Sequence, residues 1–171
     1  MTATDQTLVM YGEGAREAAR RMLPELPDAC FVPLGAAPVR EVVAGAVKDG
    51  LAQIVLVAGM AEQVAVLGGG AGLLESITLD MDCGVALAGE VSRAATVQDA
   101  YALWEAAGRL GPCGRELCRR TAGELERLAA EAAAGGSAAA AGAPRRPLAA
   151  QVVLLDAAAE RMLGMYGRMA R

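Results

Sequence analysis

The sequence predicts a three-layer α/β fold on a mainly parallel sheet, and three observations carry that expectation. The first half alternates strand and helix patterns, which within one sheet implies right-handed crossovers. "QIVLVA" (53–58) holds a continuous apolar run without polar alternation, the pattern of a parallel strand covered on both faces. Aromatic residues make up only 3% of a chain that is 54% hydrophobic, so the core must be built from Val, Leu, Met and Ala. At 171 residues, the expectation is a single α/β domain over 1–171.

The elements follow in order. "QTLVMY" (6–11) reads as a short strand, and "GEGAREAARRML" places Ala15, Ala18, Ala19, Met22 and Leu23 at helical spacing before Pro24 and Pro27 stop the helix. "ACFVPL" (29–34) is a second strand, weakened inside by Pro33. "PVREVVAGAVKDG" then gives a helix with Pro38 near its first turn and Gly50 at its end. "QIVLVA" is the third strand, completing a Rossmann-like alternation, and "AEQVAVL" the helix after it. "GGGAG" (68–72) breaks that helix. "LLESITLDMDCGVALAGEVS" is open between a strand at 77–81 and a loop leading into a helix. "TVQDAYALWEAAGRL" has Thr96 placed to cap, with Asp99 three residues on, and "PCGRELCRRTAGELERLAAEAAA" is a long charged amphipathic helix. Residues 134–147, "AGGSAAAAGAPRRP", are expected as a flexible linker within the domain. "AAQVVLLD" returns to strand character, and "AERMLGMYG" pairs back on it as an antiparallel hairpin.

Composition excludes several function classes. With 16 basic and 20 acidic residues the net charge is −4, which disfavours nucleic acid and anionic membrane surfaces. The amino terminus lacks the pattern of a secretory signal, and no apolar run approaches the length of a spanning helix, so the expected location is the cytoplasm. Cys30, Cys83, Cys113 and Cys118 are then expected as reduced thiols, and the C-x4-C pair has no second pair with which to hold zinc. The chain contains no histidine, which removes Ser-His-Asp and Cys-His nucleophilic schemes and the commonest zinc ligand. No metal is expected.

Four places can carry binding chemistry, and each is weighed against a plainer reading. Gly12-Glu13-Gly14 follows the first strand as the opening of a dinucleotide fingerprint would, yet Glu17 stands at its third position; the alternative is a simple strand-to-helix turn. Gly59 ends the clearest strand, on the rim where open parallel sheets collect ligands, with Met60 and Glu62 at the mouth; the alternative is a tight turn. "GGGAG", with Gly68, Gly69 and Gly70, lacks the Lys-Ser or Lys-Thr of a phosphate loop and reads as a lid or a close backbone approach. Glu75, Asp80 and Asp82 form a compact carboxylate group suited to acid-base work, or else solvated loop charges. "RRTAGELERL" is most simply a solvated helix face.

Taken in order, the segment from "GAREAARRML" to "VAVLGGG", then "TVQDAYALWEAAGRLGPCGRELCRRTAGELERL" and "QVVLLDAAAERMLGMYGR", resemble the C-terminal half of the cobalt-precorrin-5B C-1 methyltransferase family. The likeness spans nearly the whole chain and rests on order and spacing. It implies cobalamin biosynthesis, S-adenosylmethionine as methyl donor, and a tetrapyrrole substrate. In that family a glycine ends the third strand, a basic helix follows, and a glycine and a Thr-His-Ser-like segment come next. Gly59 and Gly68 to Gly70 match, whereas Glu62 and Gln63 occupy the basic region and "LLESITLD" stands where the polar segment belongs. The resemblance thus implies cofactor binding at Gly12, Gly14, Gly59, Met60, Gly68, Gly69 and Gly70, and substrate binding at Glu75, Ser76 and Thr78. No catalytic residue is named, because methyl transfer from a sulfonium needs mainly positioning. The missing N-terminal half implies a separate partner chain that completes the site. Two alternatives stand beside this: a non-catalytic module binding a tetrapyrrole or S-adenosylmethionine, and a structural α/β domain of unrelated function that forms a homo-oligomer through its long helices.

Overall fold

A computed structural model describes residues 6–136 and 146–167. Strand β1 (Thr7–Tyr11) leads into helix α1 (Arg16–Met22), and a 3-10 turn at Asp28–Cys30 enters the short strand β2 (Phe31–Pro33). Pro33 is tolerated because β2 lies at the sheet edge, where one side of the strand needs no ladder partner. Helix α2 (Val39–Lys48) begins after Pro38 and ends before Gly50, whose φ of +72° reverses the chain into strand β3 (Gln53–Ala58). Helices α3 (Met60–Val66), α4 (Ala71–Asp80), α5 (Val85–Ser92), α6 (Val97–Ala106) and α7 (Leu110–Gly135) follow before strand β4 (Ala149–Leu155) and strand β5 (Met162–Tyr166).

The sheet order is β2-β1-β3-β4-β5. The first four strands are parallel, with Val9 opposite Val55 and Val55 opposite Gln151, and β5 returns antiparallel with Val153 opposite Met165. The predicted Rossmann-like α/β layering and the antiparallel hairpin are both present. Because the chain steps from β1 outward to β2 and then back across to β3 and β4, right-handed crossovers put α1 on one face and all later helices on the other. Alternation along β3 shows the division. Ile54, Leu56 and Ala58 face a core with Met10, Val43, Trp104, Leu117 and Leu125, while Val55 and Val57 face Ala18 and Ala19 of α1 and Ala15 just before it.

The segment expected as a strand at 77–81 or a loop leading into a helix is neither, because α4 runs through it to Asp80. Leu74, Ile77 and Thr78 are all buried, and their spacing of three and four residues lays one face of α4 on the core, which no strand at Ile77 would do. The glycine break is shorter than "GGGAG", since Ala71 and Gly72 already belong to α4. Helix α7 continues through Gly135, so the linker expected at 134–147 starts as helix; residues 137–145 of it lie outside the described residues. Thr96 caps α6 as expected, its Oγ1 accepting from the backbone N–H of Asp99 at 3.1 Å. Among the described residues no helix is long and apolar enough to cross a membrane.

Candidate functional site

The strand order reverses direction between β1 and β3, so the ends of these two strands form the crevice in which open α/β sheets place ligands. Gly12 and Gly59 close the two strands at this point, and Gly12 N–H donates to Val57 O at 2.9 Å, carrying the β1–β3 pairing past the end of β1. The first turn of α3 aims Glu62 into the gap. Its Oε2 accepts from the backbone N–H of Glu13 at 2.9 Å and its Oε1 from that of Gly59 at 3.3 Å. Glu62 thus caps the start of α3 as its third residue and at the same time ties it to the turn after β1. Gly12 lacks a Cβ for a specific reason: the Glu62 carboxylate stands in the space such an atom would fill.

The neighbouring Gln63 is fully buried and holds the sheet together beneath the crevice. Its amide Nε2 donates to Ala58 O at 3.3 Å and Val153 O at 3.2 Å, and its Oε1 accepts from Thr121 Oγ1 of α7 at 3.2 Å. One side chain therefore ties β3, β4 and α7. Sequence reasoning placed Glu62 at the mouth but assigned no role to Gln63. A polar residue following a helix-opening acid in an otherwise apolar stretch was the available signal.

The other expected site residues divide between places. Gly14 lies in the turn after β1, beside the crevice. Met60 is 5% exposed and packs into the core with the later helices, so only its backbone lies at the rim. Gly68, Gly69 and Gly70 sit at the far end of α3, seven residues and so about 10 Å of helix away from Gly59. Glu75, Ser76 and Thr78 are on α4. Thr78 is buried, its Oγ1 donating to Leu74 O at 2.7 Å and accepting from Trp104 Nε1 at 2.9 Å. Ser76 Oγ accepts from Arg120 Nη1 at 3.2 Å, and Arg120 also pairs with Asp80 at 2.5 Å and Glu116 at 3.1 Å. Arg119 and Arg120 together hold the Glu116 carboxyl below its usual range despite partial burial. The basic helix face is thus partly a docking surface for α4. Asp82 is exposed, outside this network.

The crevice between β1 and β3 is thus lined by the Glu62 carboxyl group, which two backbone amides engage. Among the described residues no group of His, Cys, Asp and Glu is arranged to hold a metal ion.

No family model matches the chain, and no solved structure does. The chain is 40% identical to the cobalt-precorrin-5B C(1)-methyltransferase of Salinispora tropica over 96% of its own length. It is 35% identical to that of Salinispora arenicola over 98% of its length, and 36% identical to that of Rubrobacter xylanophilus over 91%. It spans only about 42% of the length of these curated relatives. The chain is thus a homologue of part of the cobalt-precorrin-5B C(1)-methyltransferases of cobalamin biosynthesis, consistent with their C-terminal portion.

Proposed function

We propose that this chain supplies the α/β portion of a cobalt-precorrin-5B C-1 methyltransferase and acts together with the portion of the family protein that it does not span. The observation that carries the reading is identity of 35–40% extending over almost the entire chain, on a fold with a switch-point crevice between β1 and β3. S-adenosylmethionine fits the chemistry of that crevice. It presents a sulfonium and an ammonium group, and Glu62 offers a carboxylate between Gly12 and Gly59. The cofactor supplies the electrophilic methyl group; the chain's own residues position it and exclude water. The tetrapyrrole enters from the side of the partner portion, and the reading places the protein in the cytoplasm.

The test is methyl transfer from labelled S-adenosylmethionine to cobalt-precorrin-5B by this chain mixed with the unmatched portion of the Salinispora tropica relative. Labelled product from the mixture, and not from either part, is expected. A mixture that forms a complex but transfers no label overturns the methyltransferase reading. Calorimetric titration with S-adenosylmethionine should show weaker binding for Glu62→Gln than for the unaltered chain.

A further inference from the structure

On one face of the sheet Val55, Val57, Val153 and Leu155 are all at 5% exposure or less, and a narrow groove lies above them. Among the described residues α1 is the one α-helix on that side, packed on Val9 of β1 and on Val55 and Val57 of β3, because the helices after β2 cross on the other face. A doubly wound sheet ordinarily carries helices on both faces, and here the hairpin strand β5 follows β4 directly, with no further helix on this face among the described residues. The groove has a volume of about 200 Å³. Val55, Val57 and Val153 floor it, Met22 and Leu23 of α1 form one wall, and Met162 and Met165 of β5 form the other. Gln151 is the polar residue in this lining, at 8% exposure. Met162 and Met165 are 51% and 40% exposed, an unusual state for large apolar side chains next to a sheet core. Methionine walls adapt their shape to an incoming apolar surface.

We propose that Met162 and Met165 of β5, at the mouth of this groove, form the docking face for the portion of the family protein that the chain does not span, which lays an apolar element against them. The relatives supply the occupant, since more than half of their length has no counterpart in this chain. The proposal rests on the reading of the chain as one portion of that larger protein. It does not depend on methyl transfer.

Binding is therefore measured apart from turnover. The chain is titrated calorimetrically with the unmatched portion of the Salinispora tropica relative, as are the double variant Met162→Glu/Met165→Glu and Val85→Glu. Val85 is 80% exposed on α5, in the opposite layer, and serves as the control. A complex is expected, weakened about tenfold or more by the double variant and unchanged by Val85→Glu. Methionine oxidation by dilute peroxide provides a measurement that needs no variant: Met162 and Met165 should be protected in the complex. The proposal is overturned by absence of a complex, by a complex indifferent to the double variant with both methionines still oxidised, or by self-association through this face in place of the complex. A complex with these properties but no methyl transfer supports it and removes only the catalytic reading.

Discussion

The Glu62 carboxylate fills the space beside Gly12 and accepts the Glu13 backbone N–H at 2.9 Å, joining α3 to the turn after β1. Gly12 is not among the glycines with positive φ, so its role is this contact and not an unusual backbone. In Gly12→Ala the new methyl displaces the carboxylate and breaks both amide contacts. The expected loss is about 1–3 kcal/mol, with a similar loss in Glu62→Ala. Both variants remove the same interaction, so the double variant should be less destabilised than the sum of the two single changes. Urea unfolding of the four proteins checks this; simple additivity would mean that the two residues act separately.

How far this site was legible follows from how its parts are encoded. Strands β1, β3 and β4 announce themselves as short apolar runs ending at turn residues, and the parallel alternation then places Gly59 on the rim. The bridge from Glu62 to Glu13 spans 49 residues and depends on strand order, which no local pattern specifies. Helix α4 was ambiguous because "ESITLDM" mixes β-branched residues into a run too short for its period to stand out. The burial of Leu74, Ile77 and Thr78 decides it.

Thr78 offers a sharp test, because its hydroxyl is engaged on both sides. It accepts from Trp104 Nε1 and donates to Leu74 O. Thr78→Val preserves shape but leaves the buried indole N–H without a partner, and should cost about 1–3 kcal/mol. Thr78→Ser, which keeps the hydroxyl, should cost less. Thermal unfolding distinguishes this from a substrate contact, which would alter ligand affinity and leave stability nearly unchanged.

The β4–β5 turn should make stability sensitive to acid. Asp156 accepts from the backbone N–H groups of Glu160 and Arg161, with Arg161 Nε alongside at 3.3 Å, and these contacts lower its carboxyl below the ordinary 3.8. A carboxyl lowered in the folded state contributes its stabilisation fully above the unfolded value and loses it as pH falls through the folded one. Midpoint temperatures measured from about pH 6 down to about pH 2.5 should fall less steeply for Asp156→Asn than for the unaltered chain, across the window below the ordinary carboxylate range. Parallel profiles would mean that the turn carries no proton linkage.

Thiol reactivity should separate the cysteines by depth. Cys113 and Cys118 are fully buried on α7, and burial pushes the Cys118 thiol up to about 12 and raises that of Cys113 as well. The thiolate is the reactive form, so burial suppresses the reactivity of Cys118 even before access is considered. Cys83 is half-buried, with its Sγ 3.5 Å from that of Cys113. In a Cys30→Ser background, an aromatic disulfide reagent should therefore modify Cys83 in the folded protein and release Cys113 and Cys118 for reaction only on addition of guanidinium. Peptide mapping of the modified sites reads the order. Early labelling of Cys118 would mean that α7 opens from the sheet under native conditions, which would also loosen the Gln63–Thr121 contact supporting the crevice.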